Sequence, residues 1–370
     1  MTDKDYMKTA LELAKLGMGF VNPNPMVGAV IVKNGRIIGK GFHRKCGELH
    51  AERNAFANCQ EDCTGAEMYV TLEPCCHYGR TPPCTEAIIE HQIKRVIIGS
   101  SDPNPLVAGK GVQILREHGI EVTEGVLKEE CDELNEIFMH YITSQRPFVT
   151  MKYAMTADGK IAAYTGLSKW ISSEEARRHS QIDRLKHSAI MVGIGTVLAD
   201  NPMLTCRLAN GRNPVRIICD SHLRIPLDSN IVATAAHIPS IISCVGEQCR
   251  DEQKIKELEN CGCRIIRTSS DNGHIDLNEL MLVLGAEKID SILLEGGGEL
   301  NWSALKSGIV SKVKTYIAPK IFGGTAARSP VGGKGVSCPD HAFMLKDSKI
   351  SRIGEDILIE SRVADVHWDH

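Results

Sequence analysis

A chain of 370 residues, 24% charged and 42% hydrophobic, has the size and apolar content for two cores of ordinary globular composition. Its formal net charge of -3 argues against a partner with many phosphates to neutralise, such as nucleic acid, and leaves a small phosphorylated ligand open. The acidic start Met1-Thr2-Asp3-Lys4-Asp5 has no secretory apolar core, and the longest near-apolar run, Ala189 to Ala199, is too short for a bilayer. A cytoplasmic protein that engages no membrane is therefore expected, with most of its 14 cysteines reduced.

Residues 5–18 carry apolar side chains at helical spacing (Tyr6, Met7, Ala10, Leu11, Ala14, Met18). Val27 to Val32 and Ile37 to Ile38 flank Asn34-Gly35, which predicts a hairpin. A helix is expected to begin near His50. Strand Met68 to Leu72, helix Thr85 to Ile93, strand Arg95 to Gly99, helix Val112 to His118 and short strand Glu121 to Thr123 follow. This alternation predicts a sheet covered by helices. One long charged helix is expected over 127–143, and Gln145-Arg146-Pro147 marks a domain boundary, dividing the chain into 1–145 and 146–365. Beyond it the pattern restarts: strand Phe148 to Met155, helix 174–187, strand Ala189 to Val192, strand Pro214 to Cys219, helix 251–260 and strand Ser291 to Leu294. Both halves read as α/β.

In the first half, His50-Ala51-Glu52 precedes Pro74-Cys75-Cys76-His77-Tyr78-Gly79-Arg80-Thr81-Pro82-Pro83-Cys84. One imidazole and two thiolates form a three-ligand zinc set with a position left for water. Residues two apart do not share a helix face, so Glu52 suits proton transfer beside the metal better than ligation. The pattern matches the H-x-E…P-C-x-x-C signature of zinc deaminases, except that eight residues separate Cys75 from Cys84. Cys76 paired with Cys84 is the alternative; the proline before Cys75 favours Cys75. A structural site is a second alternative, its fourth ligand drawn from His77, Cys76 or His43.

In the second half, Gly193-Ile194-Gly195-Thr196 and Glu295-Gly296-Gly297-Gly298 each follow an apolar strand. Neither completes G-x-G-x-x-G, so a Rossmann fingerprint is absent. Two glycine loops at strand ends still favour a site where main-chain N–H groups approach a pyrophosphate.

Pro23-Asn24-Pro25-Met26-Val27-Gly28, the two zinc-signature segments, Lys152 to Ile161, Gly193 to Thr196, Asp200-Asn201-Pro202 and Glu295 to Gly298 together resemble the bifunctional RibD family of riboflavin biosynthesis over essentially the whole chain. The stretched cysteine spacing is typical of that family's deaminase half, while Cys76 departs from its serine. The resemblance implies a cytidine-deaminase-like three-layer domain followed by a dihydrofolate-reductase-like α/β domain. It also implies hydrolytic deamination of 2,5-diamino-6-ribosylamino-4(3H)-pyrimidinone 5′-phosphate with zinc, then NADPH-dependent reduction of the ribosyl group to ribityl.

By the same resemblance Asn24, His43 and His77 contact the pyrimidine. Ala154, Trp170, Thr196, Asp200 and Gly297, Gly298, Glu299, Leu300, Asn301, Trp302 and Ser303 line the NADPH site. Ser168, Arg184, Leu204, Arg207 and Glu295 hold the sugar phosphate, with Arg184 and Arg207 chemically suited to clamp phosphate and Lys152 placed to assist protonation. A homo-oligomer is the expected assembly. The alternatives are a zinc deaminase acting on a nucleoside or nucleic-acid base, and a non-enzymatic zinc-stabilised binding protein.

Overall fold

The computed structural model describes residues 1–79 and 82–364. Arg80 and Thr81 of the cysteine motif, and residue 365 at the expected end of the second domain, lie outside the described residues. The chain divides into two compact units, Met1–Gln145 and Arg146–His370.

The first unit runs α1 (Asp3–Lys15), β1 (Gly28–Lys33), β2 (Arg36–Phe42), α2 (Ala51–Ala57), β3 (Glu67–Leu72), α3 (Cys84–Glu90), β4 (Arg95–Ser100), α4 (Lys110–Glu117), β5 (Glu121–Glu124), α5 (Lys128–Leu134) and α6 (Glu136–Ser144). Its sheet has the order β2-β1-β3-β4-β5, antiparallel across β2, β1 and β3 and parallel from β3 to β5. The β1–β2 turn places Asn34 and Gly35 at φ 51° and 74°, the conformation an Asn-Gly hairpin needs. Strand alternation divides the core. Ala29, Ile31, Met68, Val70, Val96 and Ile98 meet the α2, α3 and α4 side chains, whereas Val30, Val32, Tyr69 and Ile97 meet α1. The result is three layers. Gly41 lets α2 lie directly on β2, since a Cβ there would stand 2.2 Å from Ala55 N and 2.3 Å from Ala51 O.

The single helix expected over 127–143 is two. Asn135 interrupts it because its amide is committed to the main chain of Met26: Oδ1 accepts from Met26 N at 2.8 Å and Nδ2 donates to Met26 O at 2.9 Å.

The second unit runs β6 (Phe148–Thr156), α7 (Glu174–Lys186), β7 (Ala189–Gly193), α8 (Ile194–Asp200), β8 (Val215–Cys219), α9 (Asn230–Ala233), β9 (Ser240–Val245), α10 (Glu252–Asn260) and β10 (Cys263–Thr268). A small hairpin follows, β11 (Ser270–Asp271) and β12 (His274–Ile275). Then come α11 (Leu277–Ala286), β13 (Ser291–Leu294), α12 (Gly298–Lys306), β14 (Val310–Ala318), β15 (Leu345–Ile353) and β16 (Asp356–Val363). Nine strands form one sheet, β10-β9-β8-β7-β13-β6-β14-β16-β15, parallel from β10 to β14 and antiparallel through the last two pairings. One face packs on α11 and α12 and the other on α8, α9 and α10. Loops leaving the carboxyl ends of β7, β8 and β13 therefore gather on one edge, where open parallel sheets bind ligands.

Candidate active sites

In the first unit, His50 is the N-cap of α2, Cys75 follows β3, and Cys84 opens α3 behind the N-cap Pro83. His50 Nδ1 stands 3.4 Å from Cys75 Sγ and 3.5 Å from Cys84 Sγ, and the three donor atoms lie within 4.8 Å of one another. Tetrahedral zinc bound to nitrogen and sulfur would hold them about 3.6 Å apart, so the donor set fits that metal. The Cys84 main-chain N–H donates to Cys75 Sγ at 3.3 Å. Cys75 is thereby drawn down to about 4, by the Cys84 thiol first and by His50, against the effect of burial. The same contact with Cys75, together with burial, pushes Cys84 up. One proton shared between two sulfurs is a place a cation takes over.

Cys76 faces elsewhere, its Sγ donating to Leu106 O at 3.7 Å. Among the described residues, His50, Cys75 and Cys84 are the cluster of metal-ligating side chains, without a fourth.

Glu52 is buried beside this cluster, and burial pushes its carboxyl up. His43 donates from Nδ1 to Leu49 O at 3.1 Å; that leaves Nε2 to accept from Asn24 Nδ2 at 3.2 Å. The His43 ring meets His50 edge-on at 5.4 Å. Asn24, His43 and the ligand set are thus contiguous. Among the described residues, the buried Nδ1 of His77 has no hydrogen-bond partner. Two neighbours went unread in the sequence. Asp102 is buried, its carboxyl pushed up to about 6 by burial and subject to the charges of Cys75 and His77. Arg53 donates from Nε to Pro82 O at 3.1 Å and from Nη2 to Pro83 O at 2.8 Å. Arg53 has no chemical motif to betray it; Asp102 sits in a loop after a strand, a position that could have drawn attention.

In the second unit, the two glycine loops meet. A Cβ on Gly193 would stand 3.7 Å from Leu300, one on Gly296 3.0 Å from the same side chain, and one on Gly297 3.7 Å from Thr196 Oγ1. Gly297 is the N-cap of α12, so residues 298–303 are its first turns rather than a free loop. Several of their side chains are engaged. Glu299 accepts from Gly333 N at 3.1 Å, Asn301 Nδ2 donates to Pro330 O at 2.8 Å, and Ser303 Oγ donates to Glu299 O at 3.0 Å. Trp302 turns to Phe343 and an apolar cavity of about 350 Å³ shared with Met151, Leu305 and Val313. The half-buried main-chain N–H groups of Gly297 and Gly298 at the start of α12 are what remains for a dinucleotide, beside Thr196 and, one turn on in α8, Asp200.

Arg184 binds Glu295 bidentately, Nε to Oε1 at 3.1 Å and Nη2 to Oε2 at 2.8 Å, while Nη1 donates to Thr205 O at 2.9 Å. Its guanidinium thereby fixes Glu295, a second residue expected to hold the sugar phosphate. Burial opposes ionisation of Glu295, yet Arg184, Lys152 and Arg207 hold its carboxyl down at about 2. Arg207 is exposed, with no guanidinium hydrogen bond among the described residues. Lys152 Nζ lies 5.5 Å over the ring of Tyr316, whose hydroxyl meets His179 Nδ1 at 2.8 Å.

Leu204 is buried among Ile190, Val192 and Ile218 at φ 51°, so its side chain is core and only its main chain is left to meet a ligand. Trp170 is exposed, its ring under the Arg177 guanidinium at 4.5 Å; Ala154 and Ser168 are half-buried. Asp220, which leaves β8 beside the Gly193 loop, is fully buried and accepts from Ile225 N at 2.7 Å.

Comparison with known proteins bears on both units. Residues 1–100 match the family described as cytidine and deoxycytidylate deaminase zinc-binding region, and residues 147–359 match the RibD C-terminal domain. The riboflavin biosynthesis protein RibD of Actinobacillus pleuropneumoniae is 56% identical over 97% of this chain and 95% of its own length; that of Escherichia coli is 37% identical over 97% and 99%. Among solved structures, Acinetobacter baumannii RibD aligns with a TM-score of 0.87 at 34% identity, covering 98% of this chain and 99% of that one. A diaminohydroxyphosphoribosylaminopyrimidine deaminase/5-amino-6-(5-phosphoribosylamino)uracil reductase from Thermotoga maritima aligns with a TM-score of 0.85 at 41% identity, with the same coverage.

Proposed function

Because this chain belongs to the RibD family, the bifunctional deaminase and reductase of riboflavin biosynthesis, we propose that the two constellations above are its two active sites, working in succession on one pyrimidine ribotide. The first unit is a cytidine-deaminase-like, zinc-binding domain and the second a dihydrofolate-reductase-like domain of the NADPH-dependent type.

In the first reaction, His50, Cys75 and Cys84 would hold zinc, which when bound would supply the Lewis acidity that makes water nucleophilic at neutral pH. Glu52 takes the proton from the attacking water and delivers it to the departing 2-amino group of the diaminopyrimidine, which leaves as ammonia. Its burial next to the ligands supports this role, since a carboxyl out of water holds a transferred proton more readily. Asn24 and His43 orient the ring, and the buried unpartnered Nδ1 of His77 is available to it.

In the second reaction, NADPH when bound would supply the hydride that reduces the opened sugar. Thr196, Asp200 and the main chain of Gly297 and Gly298 receive the dinucleotide, with Ala154 and Trp170 at its edges. Arg207 takes the substrate phosphate as the uncommitted guanidinium. Glu295, fixed by Arg184, binds a sugar hydroxyl, and Lys152 delivers a proton near the opened ribose. Ser168 and the Leu204 main chain complete the substrate side. A small ribotide rather than nucleic acid as partner agrees with the net charge of -3. No helix among the described residues is long and apolar enough to cross a membrane. The fourteen free thiols favour a cytoplasmic setting, and a homo-oligomer is the proposed assembly.

The observation that carries this reading is the buried Glu52 beside the His50–Cys75–Cys84 cluster. Glu52→Gln should lower ammonia release by about a thousandfold and leave NADPH oxidation on the deaminated intermediate unchanged. Ammonia release at the wild-type rate, or loss of both activities from a folded variant, would refute it.

A further inference from the structure

Away from both sites, Cys59 follows the end of α2 and Cys63 lies four residues on, before β3. The Cys63 thiol donates to Cys59 Sγ across 2.8 Å. The turn between them is tied to the β1–β2 hairpin at three successive residues. Gln60 N donates to Ile38 O at 3.2 Å, Arg36 Nη2 pairs with Glu61 at 3.1 Å, and Lys33 Nζ donates to Asp62 O at 2.7 Å. The sulfurs are therefore held together by a fixed turn. They are also unequal. Cys59 is half-buried, whereas Cys63 is 5% exposed and packed in the core. Burial and its bond to Cys59 push the Cys63 thiol up to about 12, and Cys59 is the sulfur of the pair that meets solvent.

We propose that Cys59 and Cys63 form an oxidisable dithiol, converted to an intramolecular disulfide by low-molecular-weight disulfides of the glutathione class. The Cys59 thiolate attacks one sulfur of the oxidant, whose S–S bond breaks and whose first thiolate leaves and takes up a proton. Cys63 releases its proton to water as its sulfur attacks Cys59 Sγ. The mixed disulfide breaks and the second thiolate leaves and is protonated. Two protein thiols lose two electrons, and one external disulfide becomes two thiols. The second step needs no approach of distant groups, because the resolving sulfur already touches its target.

The test uses the full chain loaded with zinc, equilibrated in buffers of oxidised and reduced glutathione, alkylated after denaturation and cleaved at glutamate. Glu61 stands between the two cysteines, so they fall on separate peptides, 53–61 and 62–67, unless joined. The expected product is that joined pair, lighter by two hydrogens than its parts, while the buried Cys244 and Cys249 stay reduced. Cys63→Ser should stop at glutathione on Cys59, and Cys59→Ser should leave Cys63 unreacted. The proposal is overturned if both thiols are recovered reduced in a buffer that modifies the exposed Cys261. It is equally overturned if wild-type protein accumulates glutathione on Cys59 to the extent that Cys63→Ser does.

Discussion

Arg53, one residue past Glu52, joins the helix that carries His50 to the segment that carries Cys84, through the carbonyls of Pro82 and Pro83. The eight residues between the cysteines lengthen the loop the metal must close. Against a two-residue spacer the added closure entropy costs about 1 kcal/mol, and two hydrogen bonds from a planar guanidinium offset a cost of that size. Arg53→Ala should therefore weaken zinc binding about tenfold in competition with a chelator, with NADPH oxidation unaffected. Arg53→Lys should recover only part, because one ammonium does not reach both carbonyls in the fork geometry. Zinc affinity equal to wild type in Arg53→Ala would remove Arg53 from the site. The liganding residue types were legible in the sequence because metal chemistry restricts them to a few kinds at recognisable spacings. Arg53 was not, since its partners are main-chain oxygens that any sequence supplies. Arg184 shows the reverse: its residue type suggested phosphate, and only the fold reveals its bidentate pairing with the half-buried Glu295 carboxylate.

At the scale of elements, amphipathic helices and hairpins were readable, and the failures share a cause. The break between α5 and α6 depends on Asn135 meeting Met26, 109 residues away, which local periodicity cannot register. Asn135→Ala would strand a buried N–H and a buried C=O. A loss of roughly 3 kcal/mol follows, to be read from urea unfolding of the first unit; a change below about 1 kcal/mol would mean that water replaces the amide. The strand β14 was missed for a related reason. Its Lys314 reads as surface, yet it is buried between Asp183 at 2.8 Å and Glu360 at 3.2 Å, carboxylates brought by α7 and β16. In β9 the six residues are all buried, so no alternation marks it. Long-range pairing hid each of these features, whereas α1 and the β1–β2 hairpin, set by nearest neighbours, were visible.

At the scale of the molecule, the two units differ in how acid should act on them. In the second unit His187 is buried, with Nδ1 on Asp183 O at 2.7 Å and Nε2 on Thr150 Oγ1 at 2.9 Å. A carbonyl can only accept, so Nδ1 carries the proton and Nε2 accepts from the hydroxyl; a second proton would place a charge in this buried site. Burial lowers the imidazole to about 4 from an ordinary 6.5. The unfolded chain then binds a proton that the folded one refuses between those values, so stability is full above pH 6.5 and falls as pH drops to about 4. At about 1.4 kcal/mol per unit, the loss approaches 3 kcal/mol. Glu295, held at about 2, adds a later loss as pH falls below the ordinary carboxylate range. All three tryptophans fall in the second half of the sequence, and the described ones, Trp170 and Trp302, belong to the second unit, so tryptophan fluorescence follows that unit. Denaturant midpoints followed by tryptophan should decline between pH 7 and 4.5 in the wild type, and His187→Gln, which keeps a neutral polar group there, should flatten that decline. An equal decline in both proteins would assign the acid sensitivity to another group, because no other change separates them.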